Sequence, residues 1–265
     1  MTPEITVLIP TLPDAAWLGQ ATESLLAQSY PAWNLIVVLD GDCDHNRAVL
    51  ERQELRGRVK IKVLPARSGV VKALNAGLAE ASTDLVARLD ADDVCEPERF
   101  ETQIQALTER PDLLLIGSGA TVIDQHGRTI GAKPAPVGPD RIRRRLAWHN
   151  IIVHSSVIYR RQAVLDVGGY HPACRIGQDY QLWLRLAKIG PLDNIAAPLV
   201  RYRVHDGQLS RPLVDPAETA AIRAARRRLS TVPLLGPAYA DLRHLTWLSY
   251  QHLQDRRRRT ALAAA

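Results

Sequence analysis

What this 265-residue chain lacks narrows its class first. Its three cysteines, Cys43, Cys95 and Cys174, are odd in number and widely spaced, with no CxxC pair. That excludes a disulfide framework and a thiolate zinc site, and it fits a reducing compartment. No apolar stretch approaches the roughly 20 residues needed to span a bilayer, and Met1 to Pro10 has neither the basic start nor the cleavage site of a secretory signal. A cytoplasmic protein is the expectation. There is no GxxxxGK[ST] and no GxGxxG, so kinase, ATPase and dehydrogenase readings lose their main support. Only five of the 34 basic residues are lysine, Phe100 is the sole phenylalanine, and basic and aromatic residues do not interleave along the body. Nucleic acid is therefore not an expected partner.

What is present reads as an ordinary globular chain, 46% apolar and 23% charged. The net charge of +6 is unevenly spread: from Ile222 to Ala265 nine arginines face Asp241 and Asp255, giving +7, so everything before carries −1. Apolar runs at Ile5 to Pro10 and Leu35 to Leu39 suit strands covered on both faces, as in a parallel sheet, and Leu85 to Leu89 reads as a fourth strand. Val59 to Leu64 alternates with Lys60 and Lys62 and is expected nearer an edge. Between these lie helical stripes, Leu18, Ala21 and Leu25 in one, Val70 to Ala81 in another. After Pro97 the spacing of Phe100, Ile104 and Leu107 predicts a fourth helix. The first 110 residues thus read as repeated β-α units, an open sheet whose ligands bind beyond the carboxyl ends of the strands. The pattern then changes to α+β: a hairpin turning at His126-Gly127, a basic helix from Arg141 to Trp148, and a short strand from Ser156 to Tyr159. A helix from Asp179 to Ile189, with Leu182, Leu186 and Ile189 on one face, a strand from Ile195 to Val204 and a helical remainder follow. The stretch Arg211 to Pro216 is the nearest thing to a linker.

Strand ends are therefore where chemistry is sought. Leu89-Asp90-Ala91-Asp92-Asp93 crowds three carboxylates at one of them. If the chain stays extended, Asp90 and Asp92 point the same way, about 6.6 Å apart, and such a pair suits Mg²⁺ or Mn²⁺. One helix cap accounts for one carboxylate and not for three. Asp40, in Asp40-Gly41-Asp42-Cys43-Asp44, closes the second strand beside Pro10-Thr11, where it could accept from a nucleobase N–H. Gly69 and Lys72 open a helix in a manner that suits phosphate, although a solvated lysine is an equal reading. From its own segment Asp179 reads as a helix cap, and His154 and His205 read as structural or surface histidines.

Taken together, "VLIPT", "VVLDGDCD", "GVVKALNAGL", "ARLDADD" with "PERF", "VHSSVIYRR" with "GGY", "QDYQLWLRLAK" and "YRVHDGQLS" occur in one order over Ile5 to Ser210. They resemble glycosyltransferase family 2, the inverting nucleotide-sugar transferases of the GT-A fold. The resemblance implies an α/β GT-A domain over residues 1–212, a Rossmann-like, mostly parallel central sheet with helices on both faces. Residues 1–110 would form its nucleotide-binding half, 111–212 its acceptor and catalytic half, and 213–265 a helical, Arg-rich extension. It implies that Pro10, Thr11, Asp40, Lys72 and Asp90 bind the nucleotide. Ala91, His154, Gln178 and Trp183 would line the donor and acceptor pocket, Asp92 and His205 would hold Mn²⁺ or Mg²⁺, and Asp179 would be the catalytic base. The chain departs from the family where Leu39 precedes Asp40-Gly41, where Leu74 precedes Asn75, and where Gln178 precedes Asp179.

The implied partners are a nucleotide-sugar donor, UDP-sugar favoured, and a saccharide or lipid-linked acceptor in cell-surface glycan synthesis. Asp179, ionised at neutral pH with a pKa near the ordinary 3.9, would accept the acceptor proton in a single inverting displacement. The other readings are a sugar-phosphate nucleotidyltransferase, for which Met1 to Gln20 supplies no Gly-rich phosphate loop, and a non-catalytic binding or scaffold protein of the same fold. In the tail, Arg226-Arg227-Arg228 and Arg256 to Arg259 flank a helix with Trp247 and Tyr250, an arrangement suited to an anionic membrane surface.

Overall fold

A computed structural model describes residues 4–65, 67–208 and 215–229. The first half alternates as its apolar runs require: β1 (Ile5–Thr11), α1 (Leu18–Leu26), β2 (Trp33–Asp40), α2 (Asp44–Leu50), β3 (Val59–Leu64), α3 (Val70–Glu80), β4 (Leu85–Arg88), the two-residue β5 (Val94–Cys95) and α4 (Arg99–Glu109). There follow β6 (Leu115–Ile123), β7 (Thr129–Lys133), α5 (Pro139–Leu146), β8 (Ile158–Arg160), α6 (Arg161–Asp166), α7 (Gln178–Ile189), β9 (Leu192–Arg203) and α8 (Pro216–Leu229).

One nine-stranded sheet runs β3-β2-β1-β4-β8-β6-β9-β5, with β7 paired to β6. The β3-β2-β1-β4 half is parallel, with β3 at the edge. Beyond β4 the sheet is mixed: β8 is antiparallel to β4 and β6, while β9 runs parallel to β6. Side chains alternate across the strands, so β1 sends Ile5, Val7 and Ile9 into one core with α1 and α4, and Leu8 into the other with α3 and α7. The stripes of α1 and α4 are buried as their spacing predicts. Ile189 is not: it ends α7 and is 54% exposed, beyond the reach of the core.

Two glycines set close approaches. A Cβ on Gly77 would come 2.1 Å from Leu8 Cδ1, so its absence lets α3 settle on β1. Gly169 has φ +67 and lies against Asn75, which donates to the Tyr170 carbonyl and accepts from the Tyr170 N–H, both at 2.8 Å. That paired bond ties α3 to the segment entering α7. The boundary expected after residue 212 is not a packing boundary: Ile222, Ala225 and Leu229 of α8 are buried in the same core as α7. No helix among the described residues is long and apolar enough to cross a membrane.

Candidate active site

The carboxyl ends of β1, β2 and β4 lie side by side in the parallel half of the sheet and deliver Thr11, Asp40 and the Asp90 loop to one edge. The loop does not stay extended: β4 ends at Arg88 and the chain turns, the Asp93 N–H donating to the Asp90 carbonyl at 3.2 Å. The expected common side for Asp90 and Asp92 is thereby replaced by three different environments. Asp90 accepts from the Arg88 guanidinium and from Ser155 Oγ at 2.8 Å. Burial by itself raises its pKa, but Arg88, His154 and Ser155 outweigh it and hold the carboxyl below the ordinary range. Asp93 turns inward, 1% exposed, and accepts from the Arg203 N–H at 2.8 Å. Asp92 faces outward to His205, Oδ2 to Nε2 at 2.9 Å.

His205 is delivered by the end of β9. Arg203, 1% exposed, donates to the Asp92 carbonyl at 2.8 Å and to Gln20 Oε1 at 2.7 Å, fastening β9 to the acidic turn two residues before His205. The His205 ring lies 4.5 Å from that of Trp17, over which Arg203 also sits. Among the described residues no group of three or more His, Cys, Asp or Glu side chains is spaced to hold a metal. Asp92 and His205 still fit a divalent ion bound jointly with substrate: ligands about 2.1 Å from an octahedral ion stand about 3 Å apart, and Mg²⁺ usually takes only one or two carboxylates beside phosphate and water.

The other wall comes from α7. Gly177, its N-cap residue, has no side chain to offer, and Asp179 sits in the first turn, accepting from the Tyr180 N–H at 2.6 Å and from Asn150 Nδ2 at 2.7 Å. Burial raises the Asp179 pKa to about 6; the Tyr180 and Asn150 bonds oppose this, and the charge of Asp90 adds to it. The expectation of an ordinary aspartate is corrected accordingly, and the influence of Asp90 puts the two carboxylates in one electrostatic neighbourhood. His154 lies beside Arg88 and Asp90. Its Nε2 accepts from Arg88 Nε at 3.2 Å and lies 3.0 Å from Tyr170 Oη. Burial and Arg88 push its pKa down to about 3, so it is a neutral imidazole with its proton on Nδ1.

Other expected site residues fall differently. Asp40 is 3% exposed and both its oxygens are taken by the Ser68 and Gly69 N–H groups, at 2.5 and 2.8 Å. It orders the entry to α3 and is not presented to a base. Trp183 is wholly buried, edge-on to His154 with ring centroids 5.8 Å apart, and so has no surface to offer a substrate. Gln178, with its amide turned to satisfy both ends, donates to the Ile176 carbonyl at 2.7 Å. Thr11 is buried, Pro10 and Ala91 are half-buried, and Lys72 is exposed on the first turn of α3. Arg226, expected to face lipid, is 2% exposed and bonded to Tyr180 and Trp148. Trp247, Tyr250 and Arg256 to Arg259 lie outside the described residues. Arg88, Asn150, Ser155 and Tyr170 were not singled out from sequence. Only Arg88 left a signal there, as a lone charge in a buried strand.

A family model described as glycosyl transferase family 2 matches residues 6–168. The chain belongs to this family. It is accordingly a glycosyltransferase, and its relatives carry that name. The chain is 33% identical to the amylovoran biosynthesis glycosyltransferase AmsE of Erwinia amylovora over 73% of each protein. It is 31% identical to the O-antigen biosynthesis glycosyltransferase WbnJ of Escherichia coli, over 75% of this chain and 79% of that one. S. aureus TarS 1-349 in complex with UDP-GlcNAc superposes with a TM-score of 0.72 at 18% identity, covering 92% of this chain and 71% of that one. The likeness establishes the GT-A fold for this family 2 enzyme. Asp179 and His205 lie beyond the family-model match, so their place in the site rests on the geometry above.

Proposed function

We propose that this family 2 enzyme is an inverting, divalent-cation-assisted transferase that moves a sugar from a nucleoside diphosphate, UDP favoured, to a hydroxyl of a saccharide or lipid-linked acceptor. The observations that support the reading are the Asp92-His205 contact at 2.9 Å beside the Arg88-held Asp90 and the Asp179-Asn150 contact at 2.7 Å, with the charge of Asp90 among the influences that raise the Asp179 pKa. A pKa of about 6 leaves Asp179 ionised at neutral pH yet close to it, which suits a general base contributing about 10² to 10⁴ in rate. Asn150 and the Tyr180 N–H orient the carboxylate, and the acceptor oxygen gives up its proton to it while attacking the anomeric carbon. Asp92 and His205 would hold Mn²⁺ or Mg²⁺, which when bound supplies Lewis-acid neutralisation of the departing diphosphate. Pro10, Thr11, Lys72 and the outer edge of Asp90 are assigned to the nucleotide. Ala91, His154 and Gln178 are assigned to the sugar and acceptor. The names of AmsE and WbnJ support a role in bacterial surface polysaccharide synthesis, and the UDP-GlcNAc complex of TarS supports a UDP-sugar donor. The work would take place on the cytoplasmic side of the membrane.

A thermal-shift panel of UDP-, GDP- and dTDP-sugars, each with and without Mn²⁺, tests this. A ligand at 100 times its Kd stabilises by about 2.7 kcal/mol. One nucleotide class should shift the wild type in a Mn²⁺-dependent way and be turned over when acceptors are screened. Metal-dependent binding with no turnover on any acceptor would favour a binding protein instead.

A further inference from the structure

The catalytic helix α7 begins with a capping problem. Its N-cap is Gly177, which has no side chain, yet the first turn of any helix presents unpaired N–H groups and a positive dipole end. The missing acceptor comes from α8, some forty residues further on. Asp215 caps α8, accepting from the Ala217 N–H at 2.8 Å, and Pro216 occupies its first position. One turn in, the Glu218 side chain reaches across. Its Oε1 accepts from Ile176 N–H at 2.8 Å and Gly177 N–H at 2.5 Å, and the residue is wholly buried. Two turns later Arg226, also buried, donates from Nε to Tyr180 Oη at 2.8 Å and from Nη2 to the Trp148 carbonyl at 3.0 Å. Tyr180 in turn donates to the Leu146 carbonyl at 2.6 Å.

These contacts share one target. Asp179 is held by two segments: the start of α7, and the strand-free stretch ending in Asn150. Glu218 fastens Ile176 and Gly177, three and two residues before Asp179. Arg226 fastens Tyr180, its immediate neighbour, and Trp148, two residues before Asn150. A buried carboxylate and a buried guanidinium are costly to keep, and neither bonds the Asp179 carboxylate directly.

We propose that α8 is a positioning element of the active site, in which Glu218 and Arg226 fix both segments that hold the Asp179 carboxylate. The inference rests on the assignment of Asp179 as base. It makes the helix beyond residue 212 part of the catalytic apparatus, and makes Glu218 and Arg226 positioning residues. A displacement of about 1 Å at a reacting group can cost about 10²-fold in rate.

The test uses the full chain labelled with carbon-13 at aspartate side-chain carboxyls, the Asp179 resonance being the one lost in Asp179→Asn. The groups facing Asp179 are Asp90 from the turn after β4, Tyr170 and Cys174 from the segment before α7, and Asn150; all are retained. Glu218→Ala should lower the Asp179 titration midpoint by about one pH unit as water reaches a loosened helix start. Glu218→Gln, which keeps the acceptor oxygen, should restore the midpoint to near the wild-type value. Glu218→Ala should also cut kcat at least about tenfold while leaving the donor KM within about twofold. An unmoved midpoint in a cooperatively folded Glu218→Ala protein overturns the proposal, as does a Glu218→Gln shift equal to that of Ala. Should Glu218→Ala not fold, Arg226→Gln, which cannot reach both Tyr180 and Trp148, replaces it; a shift in the same direction is expected and an unmoved midpoint overturns. If Asp179→Asn retains turnover, the base assignment fails by itself, while the titration still reports whether α8 governs the surroundings of that carboxylate.

Discussion

Asp179→Asn should make the protein more stable, and the gain should depend on pH. In the folded chain burial and the charge of Asp90 raise the Asp179 pKa from 3.8 to about 6. Two units of difference correspond to about 3 kcal/mol at 1.36 kcal/mol per unit. The sign follows from proton counting. Between the unfolded and folded pKa values the native state binds more protons, so stability falls as pH rises through this window. The ionisation penalty is complete above about pH 7 and fades as pH drops towards 4. Asparagine carries no such penalty but can satisfy only one of the two donors, Tyr180 N–H and Asn150 Nδ2, that now serve the carboxylate. Losing one hydrogen bond costs about 1 kcal/mol, so the net gain at pH 8 is about 2 kcal/mol. For a chain of this size that is a rise in Tm of about 4 °C. Differential scanning calorimetry of both proteins at pH 8 and pH 4.5 is the assay. The expected result is a clear gain at pH 8 that shrinks or reverses at pH 4.5, together with loss of turnover by about 10² to 10⁴. Equal Tm differences at both pH values would refute the claim that Asp179 is held ionised against its surroundings.

Three further expectations concern the opposite wall. Asp92→Asn and His205→Ala should each abolish or weaken, by tenfold or more, the Mn²⁺ dependence of donor binding in calorimetry, whereas Asp40→Asn should disturb the entry to α3 and lower Tm without changing that dependence. Arg88→Met should destabilise by about 3 kcal/mol or more, because it strands the Asp90 carboxylate without its charge partner; denaturant unfolding at pH 7 reads the loss. His154 should show no protonation between pH 5 and 8 in nitrogen-15 NMR and should carry its proton on Nδ1, since its pKa is pushed down to about 3 and Nε2 accepts from Arg88. A midpoint near 6.5 would contradict the buried Arg88-His154 contact.

The elements that sequence made legible are those written locally. Near-continuous apolar runs marked β1 and β2, the alternation of Val59 to Leu64 marked the edge strand, and the spacing of Phe100, Ile104 and Leu107 marked α4. The acidic turn after β4 stood out because one helix cap accounts for one carboxylate and not for three, whereas Asp179 read as a helix cap and was marked only by the family resemblance. What answers them was not legible. Ser155 meets Asp90 across 65 positions, Asn150 meets Asp179 across 29, and Glu218 meets Gly177 across 41. No local period records such pairings. The Asp90-Asp92 geometry was misjudged for a related reason: the chain turns at Asp90, the Asp93 N–H bonding the Asp90 carbonyl, while Arg88 and Ser155, the latter 65 positions away, hold the Asp90 carboxylate. Asp40 likewise sits where a nucleotide-contacting group belongs, yet its oxygens are already taken by backbone N–H groups.

The most direct test is the structure of Asp179→Asn crystallised with Mn²⁺ and the nucleotide-sugar that most stabilises the wild type. The account predicts the diphosphate beside Asp92 and His205, and the anomeric carbon between that diphosphate and residue 179. A donor bound with its diphosphate away from Asp92, or with its anomeric carbon screened from residue 179, would contradict it.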